Sequence, residues 1–144
     1  MTTFIKSGPP ITESDISVIE NKYNFILPRE YRAFLLNING GIPSKRYYVN
    51  EKLDYSYVID LFLSIRANNL SFEEYYEDYK IQSKLLPERM VPIAEDAFGN
   101  LICVSIKGED TGSIYFWNHE DNSTDVRRIA PSFNEFLNNL KDHS

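Results

Sequence analysis

The sequence predicts an α+β domain: an antiparallel sheet of about five to six strands, run as a meander, with an N-terminal helix pair, a middle helix and a C-terminal helix packed on it. Three observations predict it. Residues 27–41, LPREYRAFLLNINGG, place Tyr31, Phe34, Leu35 and Ile38 at i, i+3, i+4 and i+7, the single apolar stripe of a helix. From residue 91 onward, short runs of β-branched and aromatic residues are separated by Gly-containing turns too short for a crossover, so successive strands run antiparallel. A chain of 144 residues is one domain's length and buries roughly two-thirds of the surface its unfolded form exposes, so no disulfide or metal staple is needed.

The elements follow in order. Residues 1–10 end in Gly8-Pro9-Pro10 and read as a lead-in rather than an element. Thr12 opens the first helix as its cap, with Asp15 at the reciprocal capping-box position and Ile11 placed to staple onto Ile16; Ile16, Ile19 and Tyr23 continue the face to about Asn24. Pro28 suits the first turn of the second helix, where its missing N–H costs nothing, and Gly40 and Gly41 supply the left-handed stop. Residues 47–49 and 57–63 read as strands joined by a polar connection. Ser71 with Glu74 three residues on opens a helix through Tyr75, Tyr76 and Tyr79 towards Leu86, ended by Pro87; Glu73, Glu74, Glu77 and Asp78 suit its first turns because they complement the helix dipole. Residues 91–94 form a strand in which Pro92 favours a strand end or edge. Residues 101–106 form a central strand, 113–117 the next and 126–129 a last one. Ser132 then caps a helix with Phe133, Phe136, Leu137 and Leu140 inward.

Composition narrows the function classes. Ten Tyr and nine Phe predict an aromatic core with phenols at its margins, a composition that also suits an interface. One cysteine, Cys103, forms no internal disulfide and sits between Ile102 and Val104 like a small buried hydrophobe. No apolar run reads as a signal peptide or membrane span, and the expected location is the cytoplasm. The net charge of −6 is asymmetric: residues 1–72 hold eight Lys and Arg against seven Asp and Glu, residues 73–144 seven against fourteen. Such a surface repels phosphate backbones and attracts basic proteins, which argues against nucleic acid as a direct ligand.

No catalytic constellation emerges. The doublets Glu95-Asp96, Glu109-Asp110 and Glu120-Asp121 are poor acid–base dyads, because adjacent side chains in extended backbone point to opposite faces. A zinc site would require both His119 and His143 together with Cys103. Asn118, Glu120, Asn122 and Asp125 superficially match a calcium loop, but Ser123 stands where its glycine belongs. Phosphate-binding glycine loops and nucleophile elbows are missing from the sequence, and no cofactor or metal is expected.

The Leu-Pro-x-x-Tyr-x-x-Phe-Leu run at residues 27–35, the Asn-Gly-Gly at 39–41 and the later motifs resemble the SUKH superfamily, which includes fungal cell-wall regulators and many bacterial immunity proteins. Those later motifs are Val91-Pro92-Ile93-Ala94 with Asp96, Phe98-Gly99-Asn100, Gly112 before Ile114-Tyr115-Phe116-Trp117, and Asn118-His119-Glu120. The resemblance spans residues 11–140 of a single domain over 1–144, and residues 47–89 carry none of its motifs. It implies a non-enzymatic cytosolic immunity protein that binds and neutralises a cognate polymorphic toxin, such as a basic nuclease, by protein–protein contact. The other reading it allows is a regulatory or scaffold module that binds host proteins, like the fungal relatives. Residues 108–126 contain five acids and no Lys or Arg. The expected interface is therefore Glu109, Asp110, Glu120, Asp121 and Asp125, with Trp117 as an aromatic anchor. A second candidate patch is Glu73, Glu74, Tyr76, Glu77 and Asp78. The oligomeric state is not legible.

Overall fold

Thr12 caps the first helix reciprocally: its hydroxyl accepts from the Asp15 amide and the Asp15 carboxylate accepts from the Thr12 amide. The computed structural model describes residues 2–50, 52, 55–68, 70–120 and 126–143, and the elements below lie within them. In chain order these are β1 (Phe4–Ile5), α1 (Glu13–Tyr23), α2 (Arg29–Asn37), β2 (Ile42–Pro43), β3 (Tyr47–Asn50), β4 (Tyr55–Phe62) and α3 (Phe72–Tyr76). A π-helical turn (Glu77–Gln82) continues α3, and β5 (Met90–Asp96), β6 (Leu101–Ser105), β7 (Ile114–Trp117), β8 (Arg127–Ala130), α4 (Phe133–Asn138) and β9 (Leu140–Lys141) complete the chain. Among the described residues there are thus four α-helices, a seven-stranded antiparallel sheet in the order β8-β7-β6-β5-β4-β3-β9, and a separate β1-β2 pair. No described helix is long and apolar enough to cross a membrane.

The α+β class and the meander are as the patterns predict, but the strands outnumber the five to six expected. The lead-in contains β1, which pairs Phe4 with Pro43 and Ile5 with Ile42. Leu140 belongs not to the last helix but to β9, paired with Tyr48 of β3. The middle helix is shorter than expected: its hydrogen bonds widen after Tyr76 and it ends at Gln82, capped by Ser83 before Lys84 at φ +53°. Pro92 lies in an interior strand, yet beyond the last β4 partner (Phe62 with Ala94) and beside a bulge against β6, where its missing N–H breaks no regular ladder. The second helix ends at Asn37, with Ile38 extended, so Gly40 and Gly41 do not stop it. Their positive φ serves a close approach to the strand behind them.

Alternation along β6 and β7 divides the interior. Ile102, Val104 and Ile114 face the main core with Ile16, Tyr31, Phe34, Leu35, Phe133 and Phe136 from α1, α2 and α4 and Leu27 from the α1–α2 link. There the rings of Phe34 and Phe133 lie 5.0 Å apart and those of Tyr48 and Phe136 4.8 Å. Leu101, Cys103, Tyr115 and Trp117 face the other way, into a second cluster with Leu86 and Met90 that is roofed by Tyr75 and Tyr79. The middle helix straddles both, since its Phe72 and Tyr76 belong to the main core. This two-sided cover is why β6 reads as a continuous apolar run.

Cys103 lies fully within that second cluster, and burial pushes its thiol far above the usual range. Native protein is expected to leave a chromogenic disulfide reagent such as DTNB unreacted, releasing one thiol equivalent only in denaturant. Rapid reaction without denaturant would show that β6 is not sealed.

Candidate functional site

The three carboxylate doublets resolve into different jobs. Asp96 is buried at the β5–β6 turn, where Oδ1 accepts from the amides of Phe98 (2.9 Å) and Asn100 (2.8 Å) and Oδ2 from the Asn100 side chain (3.0 Å). Its neighbour Glu95 faces the opposite way and accepts the Tyr75 hydroxyl at 3.0 Å. Burial, and then that carboxylate, raises the Tyr75 phenol well above its ordinary range. Asp110 is committed to the fold, because Arg89 (2.5 Å), the Ser105 hydroxyl (3.0 Å) and the Tyr115 hydroxyl all donate to it. Burial pushes its carboxyl up, but the bonds from Tyr115, Ser105 and Arg89 outweigh this and hold it below the usual range. Glu109 and Glu120 are exposed. Asp121 and Asp125, the remaining members of the expected patch, lie outside the described residues.

The expected patch is not gathered on one spot. Antiparallel pairing places Met90, Ser105 and Ile114 at one end of β5–β7, and Glu95, Leu101 and Trp117 at the other. Glu109 and Asp110 leave from the first end and Glu120 from the second. Trp117 is only 2% exposed, so its indole packs in the second cluster instead of standing out as an anchor. Among the described residues its buried Nε1 has no hydrogen-bond partner, and the Tyr79 ring meets the indole edge-on at 5.6 Å.

The second patch divides as well. Tyr76 is buried, with its ring 4.2 Å from that of Tyr23. Glu77 accepts the Tyr23 hydroxyl at 2.6 Å and lies 3.8 Å from Lys22, while one oxygen of Glu73 accepts the Arg66 amide at 2.9 Å. Glu74 and Asp78 remain exposed, and with Glu95 they bear electrostatically on Tyr75 and Tyr79. What the structure brings together is therefore an acidic, aromatic face of Glu74, Tyr75, Asp78, Tyr79 and Glu95 over the buried Trp117, with Glu120 leaving from the same end of the sheet. Glu95 was not among the expected site residues. The signal was available in the period of two along β5, which sends Glu95 outward where Asp96 turns in.

Nothing in this face converges as a catalytic group does. His119 approaches Asn100, with Nδ1 2.7 Å from Oδ1, and no group of three or more His, Cys, Asp or Glu among the described residues is placed to hold a metal ion.

Comparison with known proteins adds an independent finding. The profile of the SMI1 / KNR4 family (SUKH-1) matches residues 10–139. The SPbeta prophage-derived uncharacterized protein YokK of Bacillus subtilis (strain 168) is 27% identical over 150 residues, covering 91% of this chain and 75% of that protein. The Immunity protein YxxD of the same organism is 26% identical over 146 residues, covering 97% of this chain and 90% of that protein.

Proposed function

The chain belongs to the SMI1/KNR4 (SUKH-1) family, and from that premise we propose that it is an immunity protein, a cytoplasmic stoichiometric inhibitor that binds a cognate toxin and performs no chemistry itself. The observation that carries this reading is the near end-to-end alignment, 97% of this chain and 90% of the relative, with a protein named for immunity. Inhibition by contact needs a rigid scaffold and an exposed surface, and the site described above has both, without a convergent acid, base or nucleophile.

The finer proposal is that the toxin is basic, as nuclease domains commonly are. A net charge of −6 steers such a partner through long-range attraction, and the exposed carboxylates Glu74, Asp78 and Glu120, beside the half-buried Glu95, supply the docking end, with Glu109 at the far end of the hairpin. The aromatic rings beneath hold these acids on a fixed platform, which lowers the entropy cost of binding.

The test is co-expression with the product of the neighbouring gene, where that product arrests growth on its own, scored as growth. Wild-type protein is expected to restore growth. Simultaneous reversal of Glu74, Asp78 and Glu120 to Lys is expected to weaken toxin binding at least about a hundredfold, chiefly through slower association and a lost salt dependence. Failure of the wild type to protect would overturn the immunity reading. Protection and affinity unchanged by the triple reversal would overturn the acidic docking surface alone.

A further inference from the structure

The seven-stranded sheet curls until its two ends approach. Tyr48 of β3, one strand in from the β9 edge, donates its hydroxyl to the carbonyl of Ile129 on β8, the opposite edge, at 2.9 Å. Around that bond the seam opens as a cleft of about 580 Å³. Its lining includes Lys52, Arg128 and Lys141 and, among the described residues, no carboxylate. This is the reverse of the chain's overall balance of −6.

Among the described residues these cations meet no carboxylate. Lys52 and Lys141 take part in no ion pair among the described residues, and Arg128 donates only Nε, to the Ser113 hydroxyl at 3.2 Å. The carboxylate that bears on Tyr48 is Glu135 of α4, which does not line the cleft. The walls matter as much as the charge. Among the described residues β8 is bonded in the sheet only to β7, and β9 only to β3, so each turns one main-chain edge towards the seam. An unpaired strand edge is a template for another strand.

We propose that the seam is a docking groove for an extended acidic segment of a partner protein. The segment adds as a strand to the outer edge of β8 and sets its carboxylates against Lys52, Arg128 and Lys141. The four residues of β8 offer about 13 Å of edge. In the bound state the segment takes over the Ile129 carbonyl from Tyr48, exchanging one hydroxyl bond for a ladder. Charge selects the partner, because an acidic strand gains three counter-charges here and a basic one meets like charges. The groove shares no residue with the acidic face and does not depend on the immunity reading.

The probe is a fluorescein-labelled peptide of about ten residues alternating Val and Glu. It is titrated into the full-length chain by anisotropy beside a Val–Lys peptide and a single-stranded DNA oligonucleotide. Saturable binding of the Val–Glu peptide alone is expected, with amide shifts centred on β8. Affinity is expected to fall at least about tenfold in the Arg128→Glu, Lys141→Glu double variant and on raising the salt from about 50 to about 500 mM. Lys52→Glu, in the β3–β4 turn, is expected to weaken it in the same sense without touching an edge strand. The proposal is overturned by the absence of saturable binding, by affinity indifferent to these variants, or by equal binding of the same peptide N-methylated at alternate residues, which would leave charge without strand addition. Preference for the oligonucleotide, or a second copy of the chain occupying β8 in a dimer, would overturn it equally.

Discussion

Gly40→Ala is expected to cost the fold about 3–5 kcal/mol and to lower the thermal midpoint by about 10–16 °C. A Cβ at Gly40 would stand 2.4 Å from the carbonyl oxygen of Leu63 and 2.7 Å from that of Phe62, both backbone atoms that cannot swing aside. The residue also sits at φ +70°, which costs a side-chain-bearing residue about 1–2 kcal/mol. Relief would require moving residues 62–65 off the end of α2, where the Asn39 carboxamide is bonded to the Ile65 carbonyl (2.7 Å), the Ile65 amide (2.8 Å) and the Pro9 carbonyl (2.8 Å). The Ser64 hydroxyl, bonded to the Asn39 carbonyl at 2.7 Å, would be displaced with them. Gly112→Ala is the control, because Gly112 is at φ +94° with nothing within 4 Å of its Cβ position. It isolates the backbone penalty and is expected to cost about 1–2 kcal/mol. Urea unfolding of the two variants decides the point: costs within about 0.5 kcal/mol of each other would show that the close approach at Gly40 carries no stability.

The contrast between these glycines also shows what the sequence could disclose. Helix starts were legible because their signals are local. Thr12 with Asp15, Ser71 with Glu74 and the Ser132 cap each involve residues within three positions, and each forms the bond its spacing implies. The two-residue strands were not legible, since β1 and β9 exist only through partners such as Pro43 and Tyr48, far away in the chain. Gly40 belongs to the same class: the dipeptide read as a helix stop, but its φ serves a strand more than twenty residues later. The candidate surface is divided by the fold for related reasons. Glu109 and Glu120 are close in sequence, yet a hairpin carries them to opposite ends of the sheet. Glu95 and Glu120 are distant in sequence, and only the register of β5 to β7 brings them to the same end of the sheet. The burial of Trp117 was decided by Tyr79 and Leu86, residues from a segment that carries no recognisable family motif.

Arg32→Met is expected to destabilise the protein by about 2–4 kcal/mol, although Arg32 lies between two helices at the margin of the core. Glu20 on α1 is 6% exposed, and its Oε2 accepts from the Leu27 amide at 2.7 Å and from the Arg32 guanidinium. The same guanidinium reaches Glu13 at 2.5 Å, so a single cation on α2 holds two carboxylates of α1. Removing it leaves Glu20 charged, largely out of water and with one amide donor, which costs more than the ion pair itself contributes. A double variant separates the two effects. Glu20→Gln keeps an oxygen for the Leu27 amide but carries no charge, so Glu20→Gln with Arg32→Met is expected to be more stable than Arg32→Met alone. Equal or greater destabilisation in the double variant would show that the Arg32 contacts, and not the stranded carboxylate, carry the cost. The position gives the result functional weight. The bond from Glu20 to the Leu27 amide fixes the link at which the chain turns from α1 into α2, directly before the Leu-Pro-x-x-Tyr run. That run positions Tyr31 and Phe34 beneath the sheet. A helix pair that drifts at this link loosens the scaffold on which the docking carboxylates are held, so Arg32→Met is expected to weaken protection against the toxin without altering any surface residue proposed to meet it.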